Sequence, residues 1–216
     1  MISISNKKIA ILFFAISIVL SIIPICKNIY TELKQEYAIK NYYNVGPAEN
    51  TMAVHQGLRS ILGIYPTHIE KPSEPQIDYS KVWEAGAVMG TIHIPRINLN
   101  MPIVQGIDDS ALDLGAGHIV ESDYPGQIGN CVLTGHRSYT YGKMFNRLNE
   151  IEIGDEVEIG FEGVSFIYEV YHKKIIAPDD LSVLNRNEKD RVLTLITCHP
   201  IRIANKRMVL HCILRE

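Results

Sequence analysis

A thiol, an imidazole and a guanidinium stand at three separated points of this chain, each next to an apolar run. Cys198 follows residues 192–197, a stretch rich in Leu, Ile, Val and Thr that reads as a buried β-strand and is stopped by Pro200. Such an ending aims the thiol at a strand rim. His136 lies sixty-two residues upstream in Leu133-Thr134-Gly135-His136-Arg137, and Arg207, nine residues downstream, opens a second β-like run. Brought together, the three groups make a site for cysteine-based acyl transfer. The sulfur attacks, the imidazole moves a proton, and the guanidinium meets the developing oxyanion. Taken singly, each has a plainer reading: a small buried hydrophobe, a turn residue and a solvated charge.

The elements that must position these groups begin near Val88. Residues 88–94, 101–105, 131–134, 156–161, 164–171, 174–176, 192–197 and 207–214 read as short strands with turn residues between them. Pro102 restricts its strand to an edge or a strand start. Residues 109–114, with an acidic start and a Gly stop, suit one or two helical turns, and a second helix is expected over 143–149. About eight short strands with little helix between them predict a mainly β fold, a closed or nearly closed barrel.

These segments resemble the sortases, cysteine transpeptidases of Gram-positive cell surfaces. The resemblance rests on Thr194-Leu195-Ile196-Thr197-Cys198, on Gly135-His136-Arg137 and on Arg207, and it extends from about Met89 to the end. It implies an eight-stranded sortase-type barrel over residues 81–216. It also implies Cys198 as nucleophile, His136 as acid and base, and Arg207 as holder of the substrate backbone and oxyanion. Thr197, Tyr139 and Tyr141 become candidate substrate contacts, although the two tyrosines could equally pack on the barrel. Phe145-Asn146-Arg147-Leu148 and Gly154-Asp155 are similar to patterns of classes C, D and E, and Gly117-His118 fits a Gly-His that precedes the catalytic strand in those classes. His118 reads as structural. Cys198-His199-Pro200 resembles class E, and no Asp-Pro-aromatic triplet of the class C lid stands upstream. The implied reaction is cleavage of an LPXTG-like signal between Thr and Gly through a thioester, followed by transfer to an amine of the cell wall. The alternative is a class C-type pilin polymerase that joins subunits through a Lys amine. The implied partners are surface proteins with C-terminal sorting signals and a cell-wall or pilin amine, with no cofactor and no metal.

Residues 9–25 are apolar except for Ser17, Ser21 and Pro24, and as a helix they would reach roughly 25 Å. Lys7 and Lys8 precede them, so residues 1–26 are expected to be a cytoplasmic stub and a retained single-pass anchor, with the catalytic domain outside the cell. Residues 27–80 are expected to form an amphipathic helix and then a linker that tethers the domain without gating its site. Tyr79 or Trp83 would be the covering aromatic if a lid existed instead.

A formal charge of −3 with dispersed Lys and Arg leaves no footprint for nucleic acid. Four scattered cysteines make no disulfide scaffold. A papain-type peptidase would place its cysteine before its histidine, the reverse of the order here. Cys198, His199, His211 and Cys212 offer two donor pairs to a metal, but adjacent strand residues face opposite sides.

Overall fold

The structure, a computed structural model, describes residues 6–45, 77–140 and 142–215; Tyr141 and most of the expected linker lie outside them. Eight strands close into a barrel: β1 (Val88–Ile94), β2 (Leu99–Gln105), β3 (Ala116–His118), β4 (Gly129–Gly135), β5 (Glu156–Phe161), β6 (Val164–Ile176), β7 (Arg191–His199) and β8 (Lys206–Leu214). Their order around the barrel is β1-β2-β3-β4-β7-β8-β6-β5, and β5 returns to β1 through pairs such as Ile92 with Ile159. Two neighbours are parallel, β2 with β3 and β4 with β7. Parallel neighbours need a long crossover, and the chain between β4 and β7 contains β5 and β6.

The mainly β barrel expected from the strand pattern is thus present, with two differences in its parts. Residues 164–176 form one thirteen-residue strand, because a bulge between Val170 and His172 lets β6 keep pairing with β8. The short β3, not expected as a strand, sits between β2 and β4 and restores the count to eight. Along β5 the alternation is regular: Val157, Ile159 and Phe161 are buried between more exposed neighbours. These join Ile92, Met101, Leu133, Leu195 and Leu210 in the interior. Tyr168 is also inside, and its hydroxyl is satisfied by the Gly126 N–H at 2.8 Å.

Helix α2 (Asp109–Leu114) occurs where expected, its first turn capped by Asp108, whose carboxylate accepts from the N–H groups of Ser110 and Ala111. The helix expected over 143–149 is a 3-10 segment, Met144–Glu150, in which Phe145 departs from helical angles and is fully buried.

Helix α1 (Asn6–Val45) is continuous through Pro24. Residues 11–25 of its apolar half are exposed, with Phe13 and Phe14 about two-thirds accessible, and by length and composition α1 can cross a membrane. The other half packs on the barrel. Asn28, Thr31, Gln35, Ala38, Ile39 and Tyr42 are partly buried while their neighbours are exposed, a spacing that puts one helix face against the domain. Gln35 Nε2 donates to the Leu114 carbonyl at 2.9 Å, Glu32 pairs with Lys143, and the Tyr42 hydroxyl accepts from the Glu162 N–H at 2.9 Å. The segment after Lys27, expected as an amphipathic helix, is thus a helix docked on the barrel, and the linker expected after it lies mostly outside the described residues.

Candidate active site

The site is made by strand ends. In the parallel ladder Gly135 pairs with Thr197, so the next residues, His136 just past the end of β4 and Cys198 within β7, fall side by side on adjacent strands. On the other flank Cys198 is the antiparallel partner of Arg207. All three residues expected to do chemistry thus meet on three neighbouring strands at one barrel end. Gly135 is required by packing, since a Cβ there would lie 2.7 Å from the Phe145 ring. The Phe145 N–H in turn donates to the His136 carbonyl at 3.0 Å and fixes the backbone under the imidazole.

Cys198 is partly buried and His136 is exposed. Both line a cleft of about 430 Å³, with Arg137, Tyr139, Met144 and Arg202 among its other walls. Arg207 is turned aside, its guanidinium donating to the carbonyls of Ala204 (3.1 Å) in the β7–β8 loop and of Lys206 (3.0 Å) at the start of β8. Thr197, expected at the substrate, is buried, and its hydroxyl donates to the Gly135 carbonyl at 2.8 Å. It braces β4 against β7. Tyr139 is exposed in the cleft.

Two contributors escaped the sequence reading. Arg137 was visible only as part of the Gly-His-Arg match. Its guanidinium spans the catalytic strands, donating to His199 Nδ1 at 2.7 Å, to the Cys198 carbonyl at 3.5 Å and to Asn149 Oδ1 at 2.7 Å. Burial pulls the Arg137 pKa below its usual value, and a negative Cys198 opposes that shift. The bond to Nδ1 requires that nitrogen to be unprotonated, and burial, aided by Arg137 and Lys206, holds the His199 pKa low in agreement. The second contributor is α1, which supplies Asn28, Thr31 and Gln35 to the cleft wall. Only a three-dimensional contact could reveal that.

His118 lies away from this cleft and is fully buried, with Nδ1 2.8 Å from Gln105 Oε1 and Nε2 3.1 Å from the Asp123 carbonyl. Burial lowers its pKa, as suits a structural histidine. Tyr79 and Trp83 pack near Phe161, where β5 finishes at the opposite barrel end. Cys212 points into the core while His211 bonds with Thr194, and among the described residues no group of three or more His, Cys, Asp or Glu gathers for a metal.

A thiol and an imidazole at the ends of parallel strands, with an arginine on the third, are matched by the Sortase domain family model over residues 92–215. The chain belongs to the sortase family, whose enzymes are cysteine transpeptidases. It is 36% identical over 131 residues to a protein named sortase D from Bacillus subtilis (strain 168), covering 59% of this chain and 64% of that relative. The match therefore spans less than two-thirds of that relative's length. Among solved structures it is similar to sortase C1 of GBS pilus island 1, with a TM-score of 0.65 and 26% identity over 84% of this chain and 92% of that one. A Clostridium perfringens sortase D5 transpeptidase shares the fold, with a TM-score of 0.63 at 20% identity over 85% of this chain and 99% of that one.

Proposed function

We propose that the protein cleaves an LPXTG-like sorting signal of surface proteins between Thr and Gly and transfers the acyl part to a cell-wall amine. The observation that carries this reading is the register that sets Cys198 beside His136 and opposite Arg207. The Cys198 thiolate attacks the Thr carbonyl carbon, a C–S bond forms, and the oxyanion is met by the Arg207 guanidinium swung from its loop carbonyls. The C–N bond breaks as His136 protonates the leaving glycine amine. An acceptor amine then attacks the thioester, gives its proton to His136 and releases the sulfur. Arg137 holds the two strand ends together through both steps. Tyr139, Tyr141 and Thr197 remain candidate substrate contacts, the last through the strand it braces.

The apolar half of α1 anchors the enzyme as a single span, its amino terminus in the cytoplasm and the barrel outside. A second reading, pilin polymerisation through a Lys amine, is favoured by the similarity to a sortase C1 of a pilus island. One experiment tests both. Mass spectrometry of the thioester trapped on Cys198 identifies the donor, and a panel of amines identifies the acceptor. A trapped surface protein resolved by a cell-wall peptide supports the first reading, and a pilin resolved by a pilin lysine supports the second. Donor cleavage that persists in Cys198→Ala overturns both.

A further inference from the structure

The apolar half of α1 and the half docked on the barrel belong to one continuous helix. At about 1.5 Å per residue, Asn28, Thr31 and Gln35 stand roughly 4, 9 and 15 Å along the helix from Ile25, where the apolar run stops. These residues line the Cys198 cleft. Tyr43, whose hydroxyl lies 3.2 Å from Thr91 Oγ1, stands roughly 27 Å from the same point. The barrel therefore hangs along α1 with its catalytic end towards the apolar run and its Phe161 end away from it. The polar layer on each side of a bilayer is only about 5–7 Å deep.

The β7–β8 loop is at this same end. Ile201, Arg202 and Ala204 share the cleft with Lys27, Tyr30 and Thr31 of α1. Ile201 and Ile203 are 36% and 68% exposed, and Tyr30 is 67% exposed. Two exposed isoleucines that flank Arg202, with Lys206 following, beside an exposed tyrosine and Lys27, form an apolar tip in a basic collar. In water such a tip is a cost, whereas at a lipid surface both of its components are favourable.

We infer that the catalytic rim sits on the bilayer surface, with Ile203 and Ile201 of the β7–β8 loop entering the headgroup region and Arg202, Lys206 and Lys27 facing anionic lipid. Ile203 is the part of this surface that stands clear of the chemistry: Ile201, Arg202 and Ala204 line the cleft, and Ile203 does not. Seated there, the cleft opens at the membrane face and receives a donor whose reactive bond lies a few residues from its own span. The inference rests on α1 being a bilayer span, as in the proposed function.

The test uses the full chain in phosphatidylcholine and phosphatidylglycerol vesicles containing acyl-brominated phosphatidylcholine. Trp83, the one tryptophan, packs at the far end and supplies the baseline. Ile203→Trp is expected to be quenched several-fold more than this baseline, and Ile107→Trp, on an exposed residue just beyond the far end of β2, is expected to match it. Ile203→Glu is expected to slow a bilayer-embedded Leu-Pro-X-Thr-Gly donor several-fold while leaving cleavage of the soluble peptide unchanged. Alkaline carbonate extraction separates the two levels. Release of the protein removes the anchor and this inference with it. Retention with an unquenched Ile203→Trp, or equal slowing of both donors by Ile203→Glu, overturns the inference alone. Quenching without cleavage of either donor by the unmodified protein supports the membrane seat and overturns the proposed reaction.

Discussion

The Thr197 hydroxyl donates to the Gly135 carbonyl at 2.8 Å, closing the parallel ladder one residue before both reactive groups. The bond makes the separation of His136 and Cys198 a property of two paired strands, although His136 itself lies just past the end of β4. Thr197→Val keeps the shape and removes the donor. It is expected to lower kcat about five- to ten-fold, as suits loss of a buried hydrogen bond, with KM little changed. Steady-state cleavage of a soluble donor peptide measures this.

Arg137 ties the same strands on the solvent side. Charge-assisted hydrogen bonds contribute about 1.5–3 kcal/mol each, so Arg137→Ala should cost about ten- to a hundred-fold in kcat/KM. Arg137→Lys keeps the charge but not the fork that reaches both Cys198 and Asn149, and it should recover only a small part. Recovery to within two-fold by lysine would show that charge alone matters.

Only one of the three barrel thiols should react. Cys131 and Cys212 are fully buried in the interior, and burial pushes both thiols far above the usual range. In a Cys26→Ser background, iodoacetamide is expected to label Cys198 alone and to abolish cleavage in step. Peptide mapping that finds Cys131 or Cys212 labelled in folded protein would contradict the assignment.

Acid should loosen the barrel before it protonates most carboxylates. His211 has its pKa lowered to about 4, chiefly by burial, with Lys174 and His172 adding to the effect, and His118 is lowered by burial as well. In the unfolded chain both imidazoles take up protons near 6.5. Between about pH 6.5 and 4 the unfolded state therefore binds more protons, and stability falls as pH falls through that window. Thermal unfolding from pH 7 to 4.5 should show a declining Tm, and His211→Gln should make the decline shallower. An unchanged slope would assign the decline to other groups.

How α1 meets the barrel also sets an expectation. Glu32→Lys places two cations where Lys143 now has a partner, and Gln35→Ala removes the bond to Leu114. Each is expected to raise KM for the soluble donor several-fold, because a cleft wall is displaced, with kcat nearly constant. Unchanged KM in both variants would show that α1 does not shape the cleft.

Much of this was readable before any coordinates. The 192–197 run, the Gly-His-Arg block and the alternation in β5 are local patterns, and local patterns survive as strands when their apolar faces find a core. What was misread depends on partners. Residues 116–118 are too short and too polar to signal a strand, and they become one because β2 and β4 offer free edges on both sides. Residues 164–176 look like two strands because the bulge interrupts the alternation. Arg137 belongs to the Gly-His-Arg block, but its bracing role carries no local pattern, since its three acceptors come from positions 149, 198 and 199. The docking stripe of α1 is polar at Asn28, Thr31 and Gln35, so an apolar period could not reveal it. Its face is defined by hydrogen bonds.

The parallel pairing of β4 with β7 has a consequence for the life of the chain. His136 is made before Cys198, and β7 is held between β4 on one side and β8, made after it, on the other. Until β7 has been made and has paired with β4, the Cys198 thiol has no neighbouring imidazole. These long-range pairings form late in folding because the intervening loop must first be closed. Assembly of the barrel is thereby its own safety catch. A chain in which β7 has not yet paired carries the residues without the geometry, and the candidate site is complete only when β8 has brought Arg207 opposite Cys198.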